Sequence, residues 1–388
     1  MTDRPGGGQS GRRALVVLAV LAAVAGVVAV SRAGLRDAPP SASSPTPAPT
    51  PAGTPVRGRV LTYAAGEARI FALVRSCTGT TCGVRLVTSG NEGYTWQEGA
   101  LPFPAATAAR AAAGWRLTVA GPDDRLTIED ARTLRTSYDA GRTFSRLPIS
   151  DGAPVERVPS NQEPFARLCR APRCARPAVE FLQPRTGVRG RLAHQPPFPP
   201  AALTVEGSQL WTAGVDPRTR RWAVAVSTDD GASWDPVVLP PYNLESGLVG
   251  RVLPVPGQDQ AYLVLSRPPQ GDGPGTVYGV WTIGNPRLAG TAALVRPNTG
   301  GPAQVESAVA SVDGRLLVAA YAVTGLAPDG VVDGQEADVP LVVRGLGRGV
   351  HSHVAAIVDD DDPVAGLAVS DTGAQRSWRI ARIYLPDR

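Results

Sequence analysis

An eight-residue pattern recurs three times and constrains the fold more than any other feature of the chain. Ser89-Gly-Asn-Glu-Gly-Tyr-Thr-Trp96 matches Ser137-Tyr-Asp-Ala-Gly-Arg-Thr-Phe144, and both match Ser227-Thr-Asp-Asp-Gly-Ala-Ser-Trp234. The shared form is S-x-[DN]-x-G-x-[TS]-[WF]. Each residue type suits a tight turn between two strands. Asn or Asp in third place can accept hydrogen bonds from the turn's own backbone N–H groups. Gly two places later supplies a positive φ. The Ser or Thr then starts the next strand, and the aromatic covers the adjoining hydrophobic layer.

The spacing of the three copies extends the pattern. Gly93, Gly141 and Gly231 are 48 and 90 residues apart. The second gap is two units of about 45 residues, the size of a four-stranded blade. A missing unit then falls near residue 186, where Pro184-Arg-Thr-Gly187-Val-Arg keeps the glycine. Further degenerate turns occur at Thr282-Ile-Gly284-Asn and at Ser370-Asp-Thr-Gly373 with Trp378. Two cysteine pairs, Cys77/Cys82 and Cys169/Cys174, stand 92 residues apart, again two periods. Residues 57–388 therefore divide into seven blades of about 47 residues, with six larger blades as the alternative.

Composition agrees with an all-β chain. Gly 43 and Pro 38 disfavour helix interiors. Short apolar runs alternate with Gly/Pro/Asp clusters. Ile70–Val74, Val84–Thr88, Trp222–Ser227, Tyr262–Ser266, Leu316–Tyr321 and Trp378–Tyr384 are expected strands. Ala105–Ala113 is the best helical rival, but Gly114 and Trp115 follow at once, so it reads as a short turn or helical loop.

The motif resembles the Asp-box (BNR) repeat of sialidase-like β-propellers. The resemblance covers most of residues 57–388 when degenerate copies count. It implies that Asp boxes are fold elements on peripheral turns, away from the central ligand site. Ser89, Asn91, Gly93 and Trp96 are then structural, as are Ser137, Asp139, Gly141 and Phe144, and Ser227, Asp229, Gly231 and Trp234. Sialidases, sortilin-type receptors and assembly factors share this repeat, so it assigns no function alone.

Enzymes of that family use an arginine triad, a Tyr–Glu nucleophile pair and an Asp acid/base, with Phe/Tyr-Arg-Ile-Pro ahead of the first box. That segment is absent before Ser89, where only Arg59 and Arg69 are available. Tyr262, Tyr278 and Tyr321 lie in apolar strand patterns and read as half-buried strand residues. Glu180, Glu206, Glu245 and Asp313 are acidic candidates, but nothing pairs them across a glycosidic bond. His351 and His353 share one strand face and His194 stands apart, yet no third ligand has a recognisable spacing. Asp359–Asp362 before Pro363 reads as a solvated turn. No G-x-S-x-G elbow and no phosphate loop occur, so neither cofactor nor metal is expected.

Charge and cysteines place the domain. The net charge is +5, and all 39 Lys+Arg residues are Arg. Residues 1–40 carry five Arg against Asp3 and Asp37, so +3 of the charge lies there. The remainder lacks the concentrated basic face that phosphate neutralisation needs, which argues against nucleic acid. Arg167–Arg176, with four Arg, reads as a solvated loop. Four cysteines allow three pairings. Equal C-x4-C spacing favours two local disulfides, with zinc ligation or free thiols as the alternative.

Ala14–Val30 is an unbroken apolar run of 17 residues behind Arg12 and Arg13. This predicts a cytoplasmic segment at 1–13, a transmembrane anchor at 14–32 and an exported remainder. A cleaved signal peptide, with Ala23-Val24-Ala25 as the cleavage site, is the competing reading. Ala38–Pro55 makes residues 33–56 a Pro/Ser/Thr/Ala-rich stalk. The expected protein is a monomeric, membrane-tethered, non-catalytic β-propeller that binds a protein or glycan at its channel mouth. Pro196–Pro200, Pro268–Gly275 and Ala327–Gly334 are candidate mouth loops. The runner-up is a divergent sialidase-like glycoside hydrolase. A third reading is an assembly factor for a membrane complex.

Overall fold

The computed structural model describes residues 53–387 apart from 67, 79–80, 103–114, 121–124, 130–132, 160–164, 170–173, 241–246, 269–274, 285–291, 296–303, 306, 321, 327–331, 336–341, 349–353, 360–361 and 371–376. The anchor, almost all of the stalk and the Ala105–Ala113 stretch lie outside the described residues. Among the described residues, no helix is long and apolar enough to cross a membrane.

Among the described residues, seven sheets of four or more strands follow one another along the chain. Six have four strands, and the sheet spanning 249–305 carries a fifth short strand, Gln304–Val305. Their innermost strands are Arg59–Ala65, Arg116–Ala120, Phe165–Cys169, Pro200–Glu206, Val249–Pro254, Ser307–Ala310 and Val342–Arg348. The seventh sheet packs back on the first, so the sheets close into a β-propeller. They are numbered here as blades 1 to 7.

A blade has neighbours on both faces, so its middle strands are buried on both sides. This explains why they read as continuous apolar runs rather than alternating ones. Trp222–Ser227, Ala178–Leu182 and Gly366–Ser370 are buried at every residue. Apolar clusters fill the seams. Ile70 and Val74 meet Leu367 and Ile383 between blades 7 and 1. Phe71 and Leu86 meet Leu126 and Ile128 between blades 1 and 2. Val179 and Phe181 meet Leu192 and Leu210 between blades 3 and 4. Trp211 and Val224 meet Leu263 and Trp281 between blades 4 and 5. Equivalent clusters lie between blades 5 and 6 and between blades 6 and 7.

The chain ends close the ring. Thr54–Pro55 pairs antiparallel with Tyr384–Leu385. Val56 donates its N–H to Ile383 and accepts from Ala365, both at 2.9 Å, and its side chain is only 5% exposed. The boundary placed between residues 56 and 57 thus falls inside this closure. Composition marks the Pro-rich run as stalk, but its last residues bury apolar surface and satisfy backbone groups of the final blade.

Blade 3 departs from the plan. Its fourth strand is Ser150–Asp151, which precedes the other three and runs parallel to Val188–Arg191. It therefore has no hairpin between third and fourth strands, and no place for the turn motif. Gly187 does have a positive φ of 71°, but it lies in the turn from second to third strand. The degenerate repeat expected near residue 186 is thus a different turn. The cysteine spacing is a coincidence for a related reason. Cys77 and Cys82 face each other across the second and third strands of blade 1. Cys169 and Cys174 flank the first-to-second-strand turn of blade 3, on the opposite edge of the ring.

The closure generates a prediction. A chain beginning at residue 53 should unfold at the same urea concentration as one that also carries the stalk. A chain beginning at residue 59 should lose at least about 2 kcal/mol, because Val56 is no longer buried and the pairing is gone.

Candidate functional site

The three motif copies are bonded alike. In each, the Ser Oγ accepts the Gly N–H at 2.7 Å: Ser89 from Gly93, Ser137 from Gly141, Ser227 from Gly231. The same hydroxyl donates to the Asx Oδ1, at 3.0 Å on Asn91 and 2.8 Å on Asp139 and Asp229. That Oδ1 accepts the backbone N–H of Thr95, Thr143 or Ser233 at 2.8–2.9 Å. The residue before each glycine is also left-handed: Glu92, Ala140 and Asp230 have φ of 58–60°. Two consecutive left-handed residues reverse the chain, and the Ser–Asx pair supplies acceptors that such a turn cannot find in the sheet.

Each turn packs on the blade before it. A Cβ on Gly93 would stand 2.6 Å from the Ala381 side chain of blade 7. One on Gly141 would stand 3.0 Å from Leu86, and one on Gly231 would stand 2.3 Å from Leu192. Glycine is needed for φ and again for this close approach. The aromatics reach the same seams: Trp96 joins the cluster between blades 7 and 1, Phe144 that between 1 and 2, and Trp234 that between 3 and 4. Trp234 Nε1 also donates to the His194 carbonyl at 2.9 Å. Arg379 of blade 7 stacks on the Tyr94 ring at 3.8 Å and donates to the Glu92 carbonyl.

A cavity of about 470 Å³ opens at the centre of the ring, between the innermost strands of blades 7, 1 and 2. Its wall is mainly Ala64, Ala65, Leu117, Val119, Leu346 and Ile357, with the hydroxyls of Thr62 and Thr118. Tyr63 also lines it, but its hydroxyl donates to the Ala355 carbonyl at 2.6 Å, and burial pushes the phenol's pKa up. Arg348 reaches from blade 7 to pair with Glu206 of blade 4, and donates to the Pro254 carbonyl of blade 5 at 2.9 Å. Sequence reasoning named Glu206 but missed Arg348. They are 142 residues apart, and only ring closure brings them together.

The other catalytic candidates do not converge on this cavity among the described residues. The Tyr262 hydroxyl donates to the Gly314 carbonyl at 2.5 Å, between blades 5 and 6. Tyr278 packs on the cluster between blades 4 and 5. Glu180 is buried against Arg167 at 2.6 Å. Asp313 bonds Ser311 in a turn and lies 4.0 Å from Arg315. Arg59 is exposed at the start of the first strand, and Arg69 lies beside Gly90. His194 meets Glu156 at 2.7 Å on the surface. Asp362 accepts the Val364 N–H at 2.8 Å and pairs with Arg382 at 3.3 Å. Glu245, Tyr321, His351, His353 and residues 360–361 lie outside the described residues.

The supposed mouth loops are partly strands, since Pro200, Gly275 and Val332 each begin one. Cys169 and Cys174 are joined in a disulfide, which excludes zinc ligation by that pair. Their sulfurs and the Glu180 carboxylate lie within 4.8 Å of one another, but the bonded sulfurs are not thiolate ligands. Cys82 is also disulfide-bonded; its register partner Cys77 has a side chain outside the described residues.

No protein-family model matches the sequence, and no curated protein is significantly similar to it. Solved structures are similar in fold. A puromycin-hydrolyzing peptidase of Mycobacterium tuberculosis matches with TM-score 0.51 and 15% identity, over 88% of this chain and 56% of that one. Prolyl oligopeptidase B of Galerina marginata matches with TM-score 0.52 and 11% identity, over 85% of this chain and 50% of that one. The chain thus spans about half the length of these neighbours, and at such identity they establish the β-propeller class alone.

The turn chemistry predicts an acid response. Partial burial pushes the Asp139 carboxyl up, but hydrogen bonds from the Thr143 hydroxyl and N–H, Ser137 and the Arg142 N–H prevail and hold it at about 2. Its folded pKa lies below the ordinary 3.8, so its stabilisation is complete above that value and lost as pH falls towards about 2. Urea midpoints of wild type and Asp139→Asn should differ at neutral pH and converge as pH is lowered through that window.

Proposed function

We propose that this chain is an exported, membrane-tethered, non-catalytic propeller that binds a protein or glycan at its central channel. One observation carries this reading. Among the described residues the central cavity is walled mainly by apolar side chains and small hydroxyls, and the guanidinium that lines it there, Arg348, is already committed to Glu206 and the Pro254 carbonyl. Tyr63, Tyr262, Glu180 and Asp313 are likewise bonded within the scaffold. A glycosidase needs two carboxylates, or a nucleophile and an acid, facing one open site. A concave apolar wall with few polar groups suits binding instead.

The three identically bonded turns support placing the ring among Asp-box propellers, as the motif's resemblance implies. The apolar run at 14–32 behind Arg12 and Arg13 supports a single-pass anchor with the propeller outside, and the Pro-rich segment after it supports a spacer.

Purified full-length protein should turn over no sialoside or other glycoside in a substrate screen; measurable turnover would overturn the binding reading. A ligand found on glycan or peptide arrays should be lost in Thr118→Trp, which fills the cavity, with the urea midpoint little changed. Full-length protein should sediment with membranes and need detergent for release, whereas a chain beginning at residue 53 should remain in the supernatant.

A further inference from the structure

A second turn recurs in the ring, on the edge opposite the three motif turns. Gln183-Pro-Arg-Thr-Gly187 joins the second and third strands of blade 3, and Asp216-Pro-Arg-Thr-Arg220 joins those of blade 4. The two are bonded alike. Gln183 and Asp216 donate their N–H groups to the Val188 and Arg221 carbonyls at 2.9 and 2.8 Å. Gly187 and Arg220 donate theirs to the Gln183 and Asp216 carbonyls at 2.9 and 2.8 Å. The Thr186 hydroxyl donates to Gln183 Oε1 at 2.9 Å, and that of Thr219 to Asp216 Oδ2 at 2.7 Å. Each turn presents an exposed arginine at the same place, Arg185 in one and Arg218 in the other. They differ at the left-handed position, where Gly187 has a φ of 71° and Arg220 one of 58°. Glycine adopts that conformation freely, whereas a side chain there crowds its own backbone. Among the described residues, the other non-glycine residues of positive φ all belong to the three motif turns. The sister turn closes with glycine, so the turn alone does not account for arginine at 220.

Apolar surface surrounds the blade 4 turn. Three of the six large apolar side chains exposed among the described residues are Val215, Val238 and Val249. All three stand round Trp222, which follows Arg221. Val215 is the register partner of Trp222. Leu239, next to Val238, donates its N–H to the Trp222 carbonyl at 2.9 Å. Gly250, next to Val249, lies against the Trp222 ring, where a Cβ would stand 2.4 Å from it. Asp216 spends its carboxylate inside the turn, on the Arg218 N–H at 3.0 Å and the Thr219 hydroxyl. The edge thus joins exposed arginine to exposed hydrocarbon. The same edge receives the chain from the stalk. Gly58 donates its N–H to the Pro363 carbonyl at 2.8 Å, and Val56 accepts that of Ala365 at 2.9 Å. Pro363 and Ala365 lie between the second and third strands of blade 7, so residues 56–58 enter the ring on the edge that carries both arginine turns. Asp362 is on this edge too, but on blade 7, where Arg382 offsets it at 3.3 Å.

We propose that the edge formed by these two turns docks on an anionic lipid bilayer, the one to which the stalk leads. The inference rests on the membrane-anchor reading for its choice of occupant. Arg185, Arg218 and Arg220 meet lipid phosphates, and Val215, Val238 and Val249 enter the headgroup boundary. Arginines beside anionic lipid gain from its negative potential, and apolar side chains next to them gain by leaving water. A nucleic acid would use the charge and leave the valines bare. Arg185 and Arg218 are 33 residues apart, so no local run in the sequence shows what neighbouring blades bring to one edge. A few arginines hold a surface only weakly, and stable attachment takes two signals. The anchor is the other signal, because it keeps the edge at high effective concentration beside the bilayer. A chain beginning at residue 53 therefore stays in solution, while the tethered ring lies down on its membrane with the three motif turns facing away.

The test uses the full chain, which has no free cysteine among its described residues, reconstituted in vesicles. A fluorophore is attached at Val249→Cys, inside the patch, or at Arg142→Cys, exposed in a motif turn on the opposite edge. The vesicles are phosphatidylcholine with or without phosphatidylglycerol, and carry a lipid with a nitroxide headgroup as quencher. With phosphatidylglycerol, fluorescence at 249 should be quenched and fluorescence at 142 should not. The quenching should be lost without phosphatidylglycerol, in high salt, and in Arg185→Gln/Arg218→Gln. Arg220→Gly separates docking from structure: quenching should fall while the urea midpoint holds or rises, since glycine relieves the left-handed strain. Equal quenching at both labels, no quenching at 249, or quenching indifferent to lipid charge, salt and these variants overturns the proposal. An acidic protein as the true occupant gives the second of these outcomes. Flotation with phosphatidylcholine vesicles reads the anchor by itself. If the full chain does not float there, the anchor reading fails, and docking is decided with excess phosphatidylglycerol vesicles at low salt, where absence of quenching at 249 overturns it.

Discussion

Each blade is a sheet with two faces, and both must be covered by neighbours. The rest of the structure depends on that requirement. It makes the middle strands continuously apolar, as at Trp222–Ser227, because neither face meets water. It forces the ends of the chain together, since an open ring would leave one face of blade 1 and one of blade 7 bare. The pairing of Thr54–Pro55 with Tyr384–Leu385, and the burial of Val56, complete that cover.

The recurring turns serve the same requirement. A hairpin between third and fourth strands must reverse tightly enough to press against the preceding blade. Gly93, Gly141 and Gly231 allow this because a Cβ would collide with Ala381, Leu86 or Leu192. The Ser and Asx side chains hold the reversal by bonding the N–H groups that the sheet leaves over. Turn and seam are thus one device, which is why the aromatic at the end of the motif lies in the seam its glycine approaches. Asp139 shows the electrostatic side of this arrangement: its carboxyl is an acceptor several times over, and its low pKa follows.

The seam between blades 2 and 3 is the exception. Blade 3 takes its outer strand from the chain before it, so it lacks the hairpin on which the motif sits. Beside buried Leu134 and Leu182, this seam also holds Arg167 between Glu129 and Glu180. The central cavity is walled by blades 7, 1 and 2.

Much of the fold was legible in the residues themselves. Hairpins are local, so S-x-[DN]-x-G-x-[TS]-[WF] marks its turns by the φ and hydrogen bonds that those residue types allow. The strands were legible because burial on both faces leaves unbroken apolar runs. The candidate site was scarcely legible. Arg348 and Glu206 meet only because the ring closes, and no local pattern anticipates a pairing across its centre. Gly187 and the two cysteine pairs kept the expected spacing yet belong to other turns, because spacing does not record which strand completes a blade. Sequence alone determined the all-β class, the repeat length and the chemistry of the turns, which depend on contacts within a few residues. Tertiary structure alone decided the ring's closure, the origin of blade 3's outer strand and the place of each charge, which depend on contacts between distant segments.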